Sequence, residues 1–188
     1  MIKGLLKNNI LTIIRYMQVK NMETRTVPED KICAKWFLQQ NKNEHFKDVL
    51  DICGGFGLWN GFLKQNGFTF NYTSVDISDD LTSFSHQFHQ INNWGPVRFI
   101  QHDIHNPLPF LDKSFDQVWM IGWWVAGVDE LFFSEAYRVL KDDGILFGTT
   151  RIRDADKFKD FMVIERTDDM PTVDHDDFFF MFKARKII

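Results

Sequence analysis

The segment richest in chemistry is Val49-Leu50-Asp51-Ile52-Cys53-Gly54-Gly55-Phe56-Gly57-Leu58-Trp59, an apolar run leading into a glycine-dense turn. Glycines at 54, 55 and 57 let the backbone adopt positive φ and approach a ligand closely. A helix that starts there presents unpaired N–H groups to it. Nineteen residues past Gly57, Asp76 ends a second apolar run. A carboxylate at that point can accept hydrogen bonds from both hydroxyls of a ribose, at about the ~20-residue offset of nucleotide-binding α/β folds. The two features together predict a nucleotide-like ligand.

Details of the turn narrow the ligand. A dinucleotide fingerprint starting at Gly55 and Gly57 needs glycine or alanine at position 60, where Asn60 stands. No Gly-Lys-Ser/Thr follows the loop, so a triphosphate cradle is disfavoured as well.

These residues need a scaffold, and the chain supplies a rhythm of short apolar runs and helical-length segments. Runs at Asp48–Ile52, Tyr72–Ile77, Val97–Gln101, Phe115–Ile121 and Gly144–Thr149 read as strands, most of them continuous as in strands buried on both faces. Leu58–Asn66, Asp80–Gln90 and Asp129–Leu140 read as helices between them. The alternation requires crossover connections, hence an α/β fold with a mostly parallel sheet and helices on both faces. Ser78, Asp79 and Asp80 suit a helix start. Gly144 is expected just past a helix end, in a left-handed conformation. Phe161–Glu165 and Phe178–Lys183 read as an antiparallel pair added at the sheet edge, joined by the polar loop Thr167–Asp177.

With these motifs in place, the sequence resembles the class I, Rossmann-like S-adenosylmethionine-dependent methyltransferases, whose first motif is Asp-x-Gly-x-Gly-x-Gly after a strand. Asp51, Gly55 and Gly57 match it, whereas Cys53 stands where the family usually has glycine. The resemblance continues in order through Val75-Asp76-Ile77, Gln101-His102-Asp103-Ile104, Ser114-Phe115-Asp116-Gln117-Val118-Trp119 and Glu135-Ala136-Tyr137-Arg138-Val139-Leu140-Lys141-Asp142-Asp143-Gly144. It implies a single doubly wound, seven-stranded sheet with an antiparallel last strand over residues 46–188, and a helical cap or lid over residues 1–45.

The resemblance also implies S-adenosylmethionine as cofactor. Asp51 and the loop residues Cys53, Gly54, Gly55 and Gly57 would lie at its methionine end, Asp76 at the ribose, Ile77 and Ile104 at the adenine faces and Asp103 at the adenine amino group. Methyl transfer from a sulfonium asks the protein mainly to bind, align and desolvate. His102 and His105, with His86 and His89 behind them, are candidates for a general base through their near-neutral pKa. Trp123 and Trp124 fall where the family faces its acceptor, and could stack on it or simply fill the core. Cys53 reads as a tolerated small side chain rather than a nucleophile, since no base partner accompanies it.

The rest of the sequence sets bounds. Of 188 residues, 22 are Lys or Arg and 26 Asp or Glu, so the net charge of −4 offers no basic field for nucleic acid. The expected acceptor is a small molecule, with RNA or protein as the alternative enzymatic reading and a non-catalytic binding partner as another. Two cysteines, Cys33 and Cys53, are too few for a disulfide scaffold and suggest a reducing, cytoplasmic setting. No metal site is expected; His175 amid aspartates reads as a solvated loop. No segment reaches the length of a membrane span, and Leu6, Ile10, Ile13, Ile14 and Met17 are spaced as in an amphipathic helix.

Overall fold

The computed structural model describes residues 28–121, 130–151, 160–171 and 178–188. The elements run α1 (Pro28–Asn41), β1 (Asp48–Ile52), α2 (Leu58–Gln65), β2 (Asn71–Asp76), α3 (Asp79–Ile91), β3 (Val97–Gln101), β4 (Phe115–Met120), α4 (Glu130–Val139), β5 (Leu140–Arg151), β6 (Phe161–Arg166), β7 (Met170–Pro171) and β8 (Phe178–Lys186). Seven strands lie side by side in the order β3-β2-β1-β4-β5-β8-β6, and the two-residue β7 pairs with β8. Strands β3 to β5 are parallel along this path; β8 is antiparallel to both β5 and β6. This is the expected seven-stranded α/β sheet with an antiparallel last strand.

Both faces of the sheet are covered, which explains why its strands read as unbroken apolar runs. Val49, Tyr72, Trp119, Phe147 and Met181 pack on one face with Phe37 of α1 and Phe62 and Leu63 of α2. Leu50, Val75, Val118, Leu146 and Phe182 pack on the other with Phe132, Phe133 and Ala136 of α4. Phe37 is fully buried and meets Trp59, Trp119 and Phe147 edge to face, with centroids 5.2, 5.2 and 5.0 Å away. Three polar side chains admitted to this core are linked to one another or to the backbone. Asn41 donates to the Phe37 carbonyl at 2.9 Å and accepts from Gln117 Nε2 at 3.0 Å, and Gln117 Oε1 accepts from Trp119 Nε1 at 2.8 Å.

Two of the family-like motifs turn out to hold the scaffold together. Asp116, second residue of β4, accepts from the backbone N–H groups of Lys47 and Asp48 at 2.9 and 2.8 Å and from Lys141 Nζ at 2.6 Å, joining the starts of three strands. Glu135 accepts from the Leu108 N–H at 2.6 Å, while Arg138, one helical turn on, donates to Glu135, Asp112 and the carbonyls of Leu108 and Phe110. The pair fixes the segment between β3 and β4.

Two local expectations change. Gly144 does not cap a helix: α4 stops at Val139, and Gly144 lies inside β5 without a positive φ. Its side chain is excluded for steric reasons, since a Cβ would meet Leu140 Cδ1 at 2.7 Å and the Asp116 carbonyl at 2.9 Å. The terminal strands form the expected antiparallel pair at the sheet edge, with β8 lying between β5 and β6. Within the stretch read as a loop, Met170 and Pro171 pair with Phe179 and Phe178. The apolar positions from Leu6 to Met17, the front of the expected cap, and His175 lie outside the described residues.

Phe37→Ala should lower the unfolding free energy by about 3 to 5 kcal/mol, because it opens a cavity among three aromatic rings. Urea denaturation would measure the loss, and a change below about 1 kcal/mol would show that α1 is not integral to the core.

Candidate functional site

The glycine loop leaves β1 at the point where the strand order reverses, with β2 on one side and β4 on the other. Crevices at such switch points, beyond the carboxyl ends of the strands, are where open α/β sheets bind ligands. Every second residue of the turn has a positive φ: Cys53 at 57°, Gly55 at 56° and Gly57 at 68°. The glycines adopt it freely, whereas Cys53 pays a steric cost of about 1 to 2 kcal/mol. Cys53 is tied by its N–H to the Val75 carbonyl at 2.8 Å, and its side chain packs against the core.

The three glycines serve different ends. A Cβ at Gly54 would sit 2.6 Å from the Asp51 carboxylate, so that position must be bare for the loop to fold over the strand tip. A Cβ at Gly57 would collide with His89 Nε2 at 2.8 Å and Tyr72 Oη at 3.0 Å. At Gly55 nothing among the described residues lies within 4 Å, and this side of the turn is the one that could admit a ligand.

Beneath the loop lies Asp51, 1% exposed. Tyr72 donates its hydroxyl to Oδ2 at 2.6 Å, while Oδ1 is buried with no hydrogen-bond partner among the described residues. Burial pushes the Asp51 carboxyl up to about 7, with the Tyr72 hydrogen bond opposing and the nearby Asp76 charge adding to the rise. Burial and the Asp51 charge likewise raise the Tyr72 hydroxyl well above its ordinary value, so it remains a donor.

At the rim, Asp76 Oδ2 accepts from the Gly55 N–H at 3.1 Å and Oδ1 from the Ser78 N–H at 3.0 Å. Each oxygen makes one bond to backbone and retains capacity for a second. Ile77 follows with 64% exposure, and Ile104 is partly buried against the core. Asp103 Oδ1 accepts from the backbone N–H of His105 at 3.0 Å and meets His105 Nδ1 at 2.8 Å; these contacts hold its carboxyl below the usual range. His102 Nε2 lies 3.3 Å from the Asn106 carbonyl. The loop, Asp76, Ile77, Asp103 and Ile104 thus follow the carboxyl ends of the adjacent strands β1, β2 and β3. Trp123 and Trp124 lie outside the described residues.

One further expectation is corrected. His89 is no solvent-facing base: it is fully buried, its Nε2 bonds the Phe56 carbonyl at 2.9 Å, its Nδ1 contacts Asn60 Nδ2 at 3.2 Å, and burial pushes it down to about 4. Asn60, which breaks the dinucleotide fingerprint, is the partner of that imidazole. Tyr72, Ser85 and Asn60 were not foreseen as site residues. Ser85 donates to the Gly55 carbonyl at 3.2 Å, and only its four-residue spacing from His89 on one helix face could have suggested it. His86 stays exposed, edge to face with Phe99 at 5.2 Å.

The residues present fit S-adenosylmethionine. The open side at Gly55, the unpartnered Asp51 oxygen, the spare capacity of Asp76 and the bare Ile77 match an ammonium-bearing chain, a ribose and a flat ring in that order.

Comparison with known proteins identifies the family and the fold. The family model described as a methyltransferase domain matches residues 49–144. No curated protein matches the sequence. Among solved structures, a SAM-dependent methyltransferase from Aquifex aeolicus superposes with a TM-score of 0.61 at 14% identity, covering 91% of this chain and 98% of that one. A protein described as a sarcosine dimethylglycine methyltransferase from Galdieria sulphuraria gives 0.69 at 13% identity, covering 88% and 89%. The Pyrococcus abyssi tRNA (uracil-54, C5)-methyltransferase in complex with S-adenosyl-L-homocysteine gives 0.61 at 17% identity, covering 82% of this chain and 38% of that chain.

Two outcomes follow from the loop. The folded pKa of Asp51 lies above its unfolded value of 3.8, so its stabilising contribution is full below pH 4 and is lost as pH rises through about 7. Asp51→Asn should therefore raise the urea midpoint at pH 8, and its advantage over the wild type should vanish by pH 4. Cys53→Gly relieves the left-handed strain but frees the unfolded chain, for a net gain of up to about 1 kcal/mol. Thermal unfolding with and without S-adenosylhomocysteine would show this gain and any tightening of the ligand.

Proposed function

We propose that this chain, which belongs to the methyltransferase-domain family and is a class I S-adenosylmethionine-dependent enzyme, transfers the methyl group to a small-molecule acceptor. The observation that carries the reading is the buried Asp51 carboxylate with one unpartnered oxygen beneath an open glycine turn. A buried acceptor without a donor is costly, and the ammonium of the cofactor's methionine end would supply that donor. The net charge of −4 supports a small acceptor over a polyanion.

S-adenosylmethionine supplies an electrophilic methyl on a sulfonium; in-line transfer to an acceptor atom leaves a neutral thioether, and a proton departs from the acceptor. The protein's part is placement. Asp51 would hold the ammonium and Asp76 the ribose hydroxyls. Ile77 and Ile104 would cover the faces of the adenine, with Asp103 receiving its amino group. His105, exposed and bonded to Asp103, and His102 beside it are the candidates to accept the departing proton.

Calorimetry tests the reading directly. The wild type should bind S-adenosylhomocysteine, and Asp76→Ala should weaken that binding at least about tenfold, the loss of charge-assisted hydrogen bonds. Absence of binding by the wild type would refute it. For the acceptor, incubation with methyl-labelled cofactor and a cell extract should place label in dialysable material. Label confined to nuclease-sensitive or protease-sensitive material would make the acceptor RNA or protein instead.

A further inference from the structure

Helix α3 reaches the glycine turn from the side, at two points one helical turn apart. Ser85 Oγ donates to the Gly55 carbonyl at 3.2 Å, and His89 Nε2 lies 2.9 Å from the Phe56 carbonyl. Both residues are fully buried, and their spacing of four places them on the same face of the helix. A carbonyl accepts and never donates, so the His89 Nε2 must carry the hydrogen. The Nδ1 is then an acceptor, and Asn60 Nδ2, 3.2 Å away on α2, donates to it. Only this tautomer satisfies both contacts.

The imidazole is fixed on its flat sides as well. It stacks on Tyr72 with 18° between planes and meets Trp94 and Phe99 edge to face at 5.0 Å each. Bare Gly57 lets it approach, since any Cβ there would stand 2.8 Å from Nε2. The turn is thus held on two sides: Asp76 takes the Gly55 N–H at 3.1 Å, and α3 takes the next two carbonyls. A turn with three positive φ angles in five residues has many competing conformations, and such bonds select one of them.

We propose that Ser85 and His89 form a carbonyl clamp that presets the glycine turn for the methionine end of the cofactor, with Asn60 setting the imidazole tautomer. They are positioning residues, acting through the backbone of Gly55 and Phe56. This inference rests on the cofactor reading above. Because the clamp touches only the turn, its loss should weaken ligands that carry the methionine chain and spare those that end at the ribose. A general loss of fold would weaken both alike.

The test compares S-adenosylhomocysteine with adenosine by calorimetry on the full chain. Ser85→Ala and His89→Phe should each raise the dissociation constant for S-adenosylhomocysteine about tenfold and leave that for adenosine within about twofold, a preorganisation effect. His89→Gln should restore most of the affinity, because its amide can donate to Phe56 and accept from Asn60. If His89→Phe does not fold, Ser85→Ala and His89→Gln decide the matter on their own. Equal losses for both ligands, or none for either, would overturn the clamp while leaving the cofactor reading intact. A wild type that binds neither ligand would overturn both.

Discussion

Asp51 sits in the middle of the sheet, level with Ser74 on β2 and Trp119 on β4, in a place where a charge is held away from water. Desolvation of a carboxylate opposes folding unless donors offset it; Tyr72 provides one, and the second oxygen has none among the described residues. The surroundings follow from that arrangement. Gly54 must lack a side chain to pass over the carboxylate, Cys53 must bend against its preference to begin the turn, and Tyr72 must keep its proton. A buried carboxylate held at this cost to stability is what a binding site, rather than a structural core, tolerates.

The turn and the sheet divide the work. The sheet is packed by alternation, with Val49, Trp119 and Phe147 on one face and Leu50, Val118 and Leu146 on the other, so that the tips of β1, β2 and β3 are rigidly placed. The rim residues Asp76, Ile77 and Asp103 are carried by those tips. Asp116 and the Glu135–Arg138 pair lie away from the turn and secure the frame, although they belong to the same set of family-like motifs.

The sequence made the α/β rhythm, the turn and the place of Asp76 legible because each rests on a local rule: apolar runs for buried strands, glycine for positive φ, and a fixed offset from the turn to the tip of the second strand. Strand limits at Asp48–Ile52 and Val97–Gln101 were readable for the same reason. What escaped was tertiary. Ser85, His89, Asn60 and Tyr72 come from three different elements, and nothing in their own neighbourhoods announces that they meet under the turn. Gly144 misled because glycine after a helix suggests a cap, whereas the constraint here is the nearness of Leu140 and the Asp116 backbone. The insertion of β8 between β5 and β6 is likewise set by packing across the sheet and not by the residues of either strand alone.

That insertion orders events in time. β6 touches the sheet through β8, so it has no partner in the sheet until a strand made later has docked against β5. Residues 161–166, with Met162, Val163 and Ile164 exposed in the fold, therefore depend for their recorded pairing on a strand made after them. Contacts that wait on distant segments are slow to form. A strand of this kind, bonded through β8 and carrying three exposed apolar side chains, is where the sheet is most open to pairing with another chain.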